Sequence, residues 1–486
     1  MASLLDVIAA IIFIARKLLS VSATVGLFFG KRPGVFAWSI STRTVDYKGY
    51  KVSSFYALQR GGGRTTLFAK MSHRNENDSS EAPLIVSSVK TENSEAVSAV
   101  EFSSTNDEIK THLIVHFDIN ETILLGDQAG GDSLLDSWHK MFAKSAFCQI
   151  PESDQKSLAN SWEETQTVRP THWWDGQEIG NETSTPPLYT GWEWPNKCCP
   201  YYRTSYKSIS KNFVDHHGKV YKKLFDKCQQ MRQQTSASIM PSGSHILPAL
   251  YHTLHHLITN EHVQPFSVVF RTFGDDLPDI AKAVADFANG NHPEFPDINY
   301  PPFVVSKDSL FQGRWKKCTE SGEMIYQLWD LEETKVIGSG DYEILQVLER
   351  HRMCGICDDY PSWAANKWHP TTGKPVWVPQ YHRNDETNEH MSNGTTEVYD
   401  HHILFDDNIH NLPNDGIACI RKQRKEDHSF VTLDCQRMHR LQGIHLVRVP
   451  TIEPVMNHNW FVNQIAKARS RLIRQLIDEG RSANLE

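Results

Sequence analysis

Asp118 and Asp406 each close a short apolar run, Asp407 follows the second of them directly, and Thr272 closes a third run. A carboxylate can attack an electrophile, pass a proton, or hold a hard cation that prefers oxygen ligands. A hydroxyl beside such groups can donate to an anionic oxygen. Acidic groups and a hydroxyl at the ends of apolar runs therefore point to chemistry on an oxyanion, provided one element of the fold gathers them.

The runs that must do the gathering are Leu113 to Phe117, Phe266 to Phe270, Met353 to Cys357, His402 to Phe405 and Ile444 to Val449. Each is short and apolar, as buried strands are. Helical stretches lie between and after them, at 246–259, 279–289, 342–351 and 459–479. Strands that alternate with helices predict an α/β, Rossmann-like fold with a mostly parallel sheet covered on both faces. Chemistry in such sheets collects at the carboxyl ends of the strands. Four of the five runs carry Asp or Thr there: Asp118, Thr272, Asp358-Asp359 and Asp406-Asp407.

The segment His116-Phe117-Asp118-Ile119-Asn120-Glu121-Thr122-Ile123-Leu124 resembles the first motif of the haloacid dehalogenase (HAD) superfamily. Val268-Val269-Phe270-Arg271-Thr272, Gly373-Lys374-Pro375 and Leu404-Phe405-Asp406-Asp407-Asn408 are similar to its second, third and fourth motifs, in that order. The resemblance covers about three hundred residues from Thr111 to Asn411, insertions included. It implies a Mg²⁺-dependent phosphohydrolase with Asp118 as nucleophile, acting through an aspartyl-phosphate. Asp118, the main-chain carbonyl of Asn120, Asp406 and Asp407 would serve the metal. Thr122, Thr272 and Lys374 would face the phosphorylated substrate. Gly-Lys-Pro also suits an exposed hairpin, and Lys367 competes with Lys374 for the role.

One position departs from the family. Its phosphatases usually carry a second Asp two residues after the nucleophile, and this chain has Asn120 there. An amide donates hydrogen bonds but exchanges no proton at neutral pH. Losing a general acid/base costs roughly 10²- to 10⁴-fold in rate. The expectation is a slow phosphohydrolase. The alternative is a non-catalytic HAD-like protein that binds a phosphorylated ligand or a protein partner. Neighbouring Glu121 would point elsewhere, while His401, His402 and His410 flank the fourth motif as candidate proton donors.

Two insertions interrupt the core. The first, 125–244, lies where the family places a cap. Its aromatics around Trp173-Trp174, Trp192 to Trp194 and Tyr201-Tyr202 suit packing anchors or a pocket for a ring or sugar. The second, 291–340, reads as a small β-element beside the core, with Met324 to Leu328 strand-like. His252, His255 and His256 have helical spacing that suits a metal, but with 24 histidines chance clustering explains them. Asp358-Asp359 reads as a turn or helix cap, with contact to the site as the alternative.

Before the core, residues 33–70 predict a short hairpin and 71–110 a flexible, polar linker. Gly61 to Gly63 reads as a turn, because it lacks the Lys-Ser/Thr of a phosphate loop. Residues 1–32 hold two apolar runs of about a dozen residues separated by Arg16-Lys17, each short of the ~20 that span a bilayer. They are open between a membrane-surface helix, an anchor, a transit peptide and an ordinary packed helix. An intracellular protein is expected, with organelle targeting or membrane contact through this segment as the alternative.

The formal net charge of −8, with no strongly basic block, argues against nucleic acid as a partner. Nine cysteines in a 486-residue chain read as buried or spare thiols, Cys354-x-x-Cys357 and Cys198-Cys199 included.

Overall fold

The computed structural model describes residues 23–26, 35–47, 50–60, 64–73, 110–126, 131–154, 166–233, 245–319, 322–379 and 398–483. The chain forms two compact units, Met1–Asn106 and Asp107–Glu486.

In the first unit β1 (Ala23–Gly26), β2 (Val35–Tyr47), β3 (Tyr50–Arg60) and β4 (Arg64–His73) form an antiparallel sheet in that order. The expected hairpin is present as β2 and β3, joined where Tyr47 pairs with Tyr50, and β4 adds a third strand. Gly61 to Gly63, most of 1–32 and the linker from 74 onward lie outside the described residues. No described helix is long and apolar enough to cross a membrane.

The second unit is built on β5 (Lys110–Asp118), β10 (Phe266–Thr272), β11 (Leu310–Lys317), β12 (Met324–Asp330), β13 (Val336–Ser339), β14 (Met353–Cys357), β16 (Val398–Asp406) and β19 (Leu446–Arg448). They form one eight-stranded sheet in the order β13-β12-β11-β14-β10-β5-β16-β19. From β11 to β19 every neighbouring pair is parallel, and β12 and β13 continue antiparallel at one edge. All five sequence-read strands are in the parallel part. The strand-like element expected beside the core in the second insertion forms the edge of the main sheet, because Leu310 to Gln312 pair in parallel with Gly355 to Cys357. Strand character was readable there, but the partner is distant in sequence.

Period-two alternation gives the sheet two faces. Leu113, Val115, Phe117, Ile403 and Phe405 face one core. Helices α3 (Pro248–Thr259), α4 (Leu277–Ala288) and α7 (Trp460–Ala483) cover it through Leu250, Leu254, Ile280, Val284, Phe461 and Ile465. On the other face Ile114, Val269 and Ile356 pack with α5 (Asp341–Arg350), and Leu404 and Leu446 join a second sheet. That sheet has β15 (Lys374–Val378), β17 (Ala418–Gln423) and β18 (Phe430–Thr432). Alternation puts Asp118 and Asp406 on this second face, toward β15.

The first insertion adds α1 (Leu134–Ser145), α2 (Lys222–Gln233) and a short ladder of β7 (Phe147–Gln149) with β8 (Cys198–Pro200), and its two ends are joined by β6 (Leu124–Leu125) pairing with β9 (His245–Ile246). Ser133 caps α1 reciprocally with Asp136. Trp138, Met141 and Phe142 on that helix pack with Trp173, Tyr201, Phe213 and Tyr221. These aromatics act as packing anchors.

Candidate functional site

From β5 the chain places β10 and then β11 to β14 on one side, and crosses to β16 on the other side of β5. Strand order therefore reverses between β5 and β16, where open α/β sheets form a crevice at their carboxyl ends. Phe117 pairs with Phe405, so Asp118 and Asp406 come next on neighbouring strands at that crevice.

Lys374 lies between them. Its Nζ donates to Asp118 Oδ1 at 2.5 Å and to Asp406 Oδ2 at 2.8 Å, and its side chain is fully buried. The residue before it must be small. A Cβ on Gly373 would stand 2.2 Å from the carbonyl oxygen of Ile417, to whose backbone Lys374 N–H donates at 2.6 Å. The competing Lys367 is exposed. Thr122 ties the two strand ends together: its hydroxyl donates to Asp118 Oδ2 at 3.0 Å and accepts from Asp407 N–H at 3.2 Å. Asn408 N–H donates to Asp406 Oδ1 at 2.9 Å.

Asp118, Asp406 and Asp407 each offer an oxygen within 4.8 Å of the others, and all three are buried. Burial first, then the charge of Asp406, pushes the Asp118 carboxyl well above the usual range, against the pull of Lys374. Burial likewise raises Asp407 to about 6, although Lys144 opposes it. Burial alone would lower the Lys374 ammonium, but Asp118 and Asp406 hold it above its ordinary value. Three carboxylates thus crowd the centre, against Lys374 and a Lys144 that is shared with Glu121. An all-oxygen donor set with excess anionic charge suits a hard divalent cation such as Mg²⁺. Among the described residues no other cluster of this kind occurs.

Thr272 and Asn120 meet at the same strand ends. The Thr272 hydroxyl donates to Asn120 Oδ1 at 3.2 Å and accepts from Gly274 N–H at 2.9 Å. Asn120 Nδ2 is buried and has no hydrogen-bond partner. The next residue, Glu121, has a φ of 61°, a left-handed conformation that costs a non-glycine residue about 1–2 kcal/mol. Its carboxylate turns away from Asp118 to Lys144 and to Lys140, the latter at 2.9 Å. Burial would raise Glu121, but those two ammonium groups overcome it and hold it at about 2.

The insertion supplies groups that sequence reading missed. Lys140 and Lys144 stand one turn apart on α1, and Lys144 also reaches Asp407 at 2.6 Å. Their i, i+4 spacing on an amphipathic helix was the available signal. Arg271, next to Thr272, was missed too. It is fully buried and makes a bidentate pair with Asp358 at 2.9 and 2.6 Å. Asp359 caps the short helix α6 (Tyr360–Ala365), as the cap reading has it.

The flanking histidines do not join the carboxylates. His402 Nδ1 is 3.0 Å from His116 Nε2, His401 donates to the Ile444 carbonyl at 2.9 Å, and His410 meets Arg203 at 3.0 Å. His252 meets the Phe295 ring edge-on, His255 meets it at a tilt, and His256 approaches Asn260. All nine cysteines are free.

Fold and site together define a class: an α/β protein with a buried carboxylate–lysine centre at the switch point of a mostly parallel sheet. The chain matches no protein-family model, and no curated protein or solved structure aligns with it significantly.

Proposed function

We propose that residues 111–486 form a HAD-type, Mg²⁺-dependent phosphohydrolase with the first insertion as its cap. The observation that carries this reading is Lys374 bridging Asp118 and Asp406 at adjacent strand ends, with Asp407 beside them. These four residues come from the motifs whose order resembles that family.

Asp118 attacks phosphorus, forming its own acyl phosphate as the bond to the leaving oxygen breaks. Lys374 pairs with Asp118, opposing the rise that burial imposes on its carboxyl, and compensates the phosphoryl charge. The unpartnered amide N–H of Asn120 donates to a phosphoryl oxygen, and Thr272 does the same once its hydroxyl turns from Asn120 Oδ1 to the substrate. Mg²⁺, held by Asp118, Asp406 and Asp407 with the Asn120 carbonyl, would neutralise those oxygens further. Water then attacks the acyl phosphate and releases inorganic phosphate. No carboxyl group occupies position 120, so esters with poor leaving groups turn over slowly.

The second reading, a phosphate-binding protein without turnover, is favoured by Asn120, whose Oδ1 accepts from Thr272. A panel of phosphoesters that includes an aryl phosphate decides between them. Phosphate release that needs both Mg²⁺ and Asp118, and is absent in Asp118→Asn, supports the enzyme. No release at concentrations where a ~10⁴-fold weakened phosphatase is visible supports the binding protein.

A further inference from the structure

Beside Asp407 and Asn408 a small cleft of about 30 Å³ opens to solvent, walled by Lys144, Arg203, His410 and Arg448. Three of these are cations. Lys144 pairs with Glu121 and Asp407, and Arg203 with Asp415 at 2.9 Å.

Arg448 differs from both. It is 9 % exposed and ends β19, where it pairs in register with Asp406 of β16. Its guanidinium donates to the Gly191 carbonyl and lies 5.8 Å from the Phe147 ring centre. No carboxylate of the described residues lies within ion-pair distance of it. A guanidinium has five N–H donors, and buried charges are normally paired. Burial pulls Arg448 down to about 10, as expected of a cation stripped of water, although Asp407 opposes the shift. The fork geometry of Arg matches a carboxylate or a phosphate.

We propose that this cleft seats a second anionic group of the substrate, so that the phosphoester carries a carboxylate or another phosphate on its alcohol portion. The inference rests on the phosphohydrolase reading for the first group, placed at Asp118 and Lys374. Arg448 supplies the recognition, and Asp407 and Asn408 are shared between the two sites. Lys144, already committed to Asp407, adds charge rather than a free partner.

Binding is measured by calorimetric titration of the full chain in Mg²⁺, in the Asp118→Asn background so that nothing turns over. The probes are glycerol 3-phosphate, 3-phosphoglycerate and 2,3-bisphosphoglycerate. The second adds a carboxylate to the first, and the third adds a further phosphate, so the two kinds of anion are told apart. At least one added anion should tighten binding by roughly tenfold or more, the worth of a charge-assisted bond. Arg448→Met should remove most of that advantage, and Arg448→Lys should keep part of it. Equal binding of the three probes overturns the proposal, and so does an advantage that survives Arg448→Met. Should Arg448→Met fail to fold, the probe comparison with native Arg448 and with Arg448→Lys decides. The two readings fail separately. An advantage without phosphate release from any ester sinks the phosphohydrolase and leaves an oxyanion site. Release without an advantage sinks the cleft alone.

Discussion

The Thr272 hydroxyl donates to Asn120 Oδ1 at 3.2 Å, so the residue that replaces an expected acid is tied into the strand ends by its carbonyl. A carboxylate at position 120 can accept the same bond. Asn120→Asp should therefore keep the local geometry and restore a proton donor. The expected outcome is faster hydrolysis of alkyl phosphates, by up to ~10²- to 10⁴-fold, with little change for aryl phosphates. The ratio of kcat/KM for the two ester classes checks this. An unchanged ratio means that position 120 does not face the leaving group.

Lys374 is the shared cation of two buried carboxylates. Lys374→Met leaves them facing each other, and removing one partner of a buried ionic group costs about 3–5 kcal/mol. A divalent cation bound between the carboxylates offsets that cost, because a ligand that binds only the folded state stabilises it. Mg²⁺ should raise the Tm of Lys374→Met more than that of the native protein, and EDTA should reverse the difference. Equal Mg²⁺ responses would show that the carboxylates do not share a metal.

The carboxylates were legible in the sequence because each closes an apolar run, and chain order with period-two alternation carries such residues to one end of a sheet. Thr122 and Lys374 were legible only through the resemblance. The bridge that Thr122 makes to Asp407 spans 285 positions, and no local pattern encodes it. The strands of 291–340 were readable as strands, but their pairing to β14 was not, since alternation gives a face and not a neighbour. Arg448 looked like one more residue in a buried strand; its charge acquires meaning only beside the insertion and Asp407.

Arg271 and Asp358 form a fully buried bidentate pair, and Tyr326 donates to Asp358 at 2.5 Å. Arg271 also donates to the Pro375 carbonyl at 3.0 Å, next to Lys374. Arg271→Met strands the Asp358 charge and should cost about 3–5 kcal/mol. Replacing both, as Arg271→Met with Asp358→Leu, should cost clearly less than the sum of the single changes, because neither charge is left alone. Urea unfolding of the four proteins measures the cycle. Additive costs would mean that the pair is not coupled.

His401 lies within β16, before Asp406, and His445 directly precedes β19; both are buried. Burial first holds His445 at about 4, helped by the charge of Lys422 against the bond to the His402 carbonyl; burial and the His445 ring hold His401 at about 3. Each takes up a proton near 6.5 in the unfolded chain. The unfolded state therefore binds more protons below that pH, and stability falls as pH drops from about 6.5 toward 4. Each imidazole contributes a slope of about 1.4 kcal/mol per pH unit in that window. In His445→Gln the amide N–H can still donate to the His402 carbonyl, to which His445 Nδ1 donates at 2.7 Å. That variant should flatten the slope of unfolding free energy between pH 6.5 and 4.5 by about one proton's worth, with stability above pH 7 changed much less. An unaltered slope would show that His445 titrates alike in both states and is not held neutral by the fold.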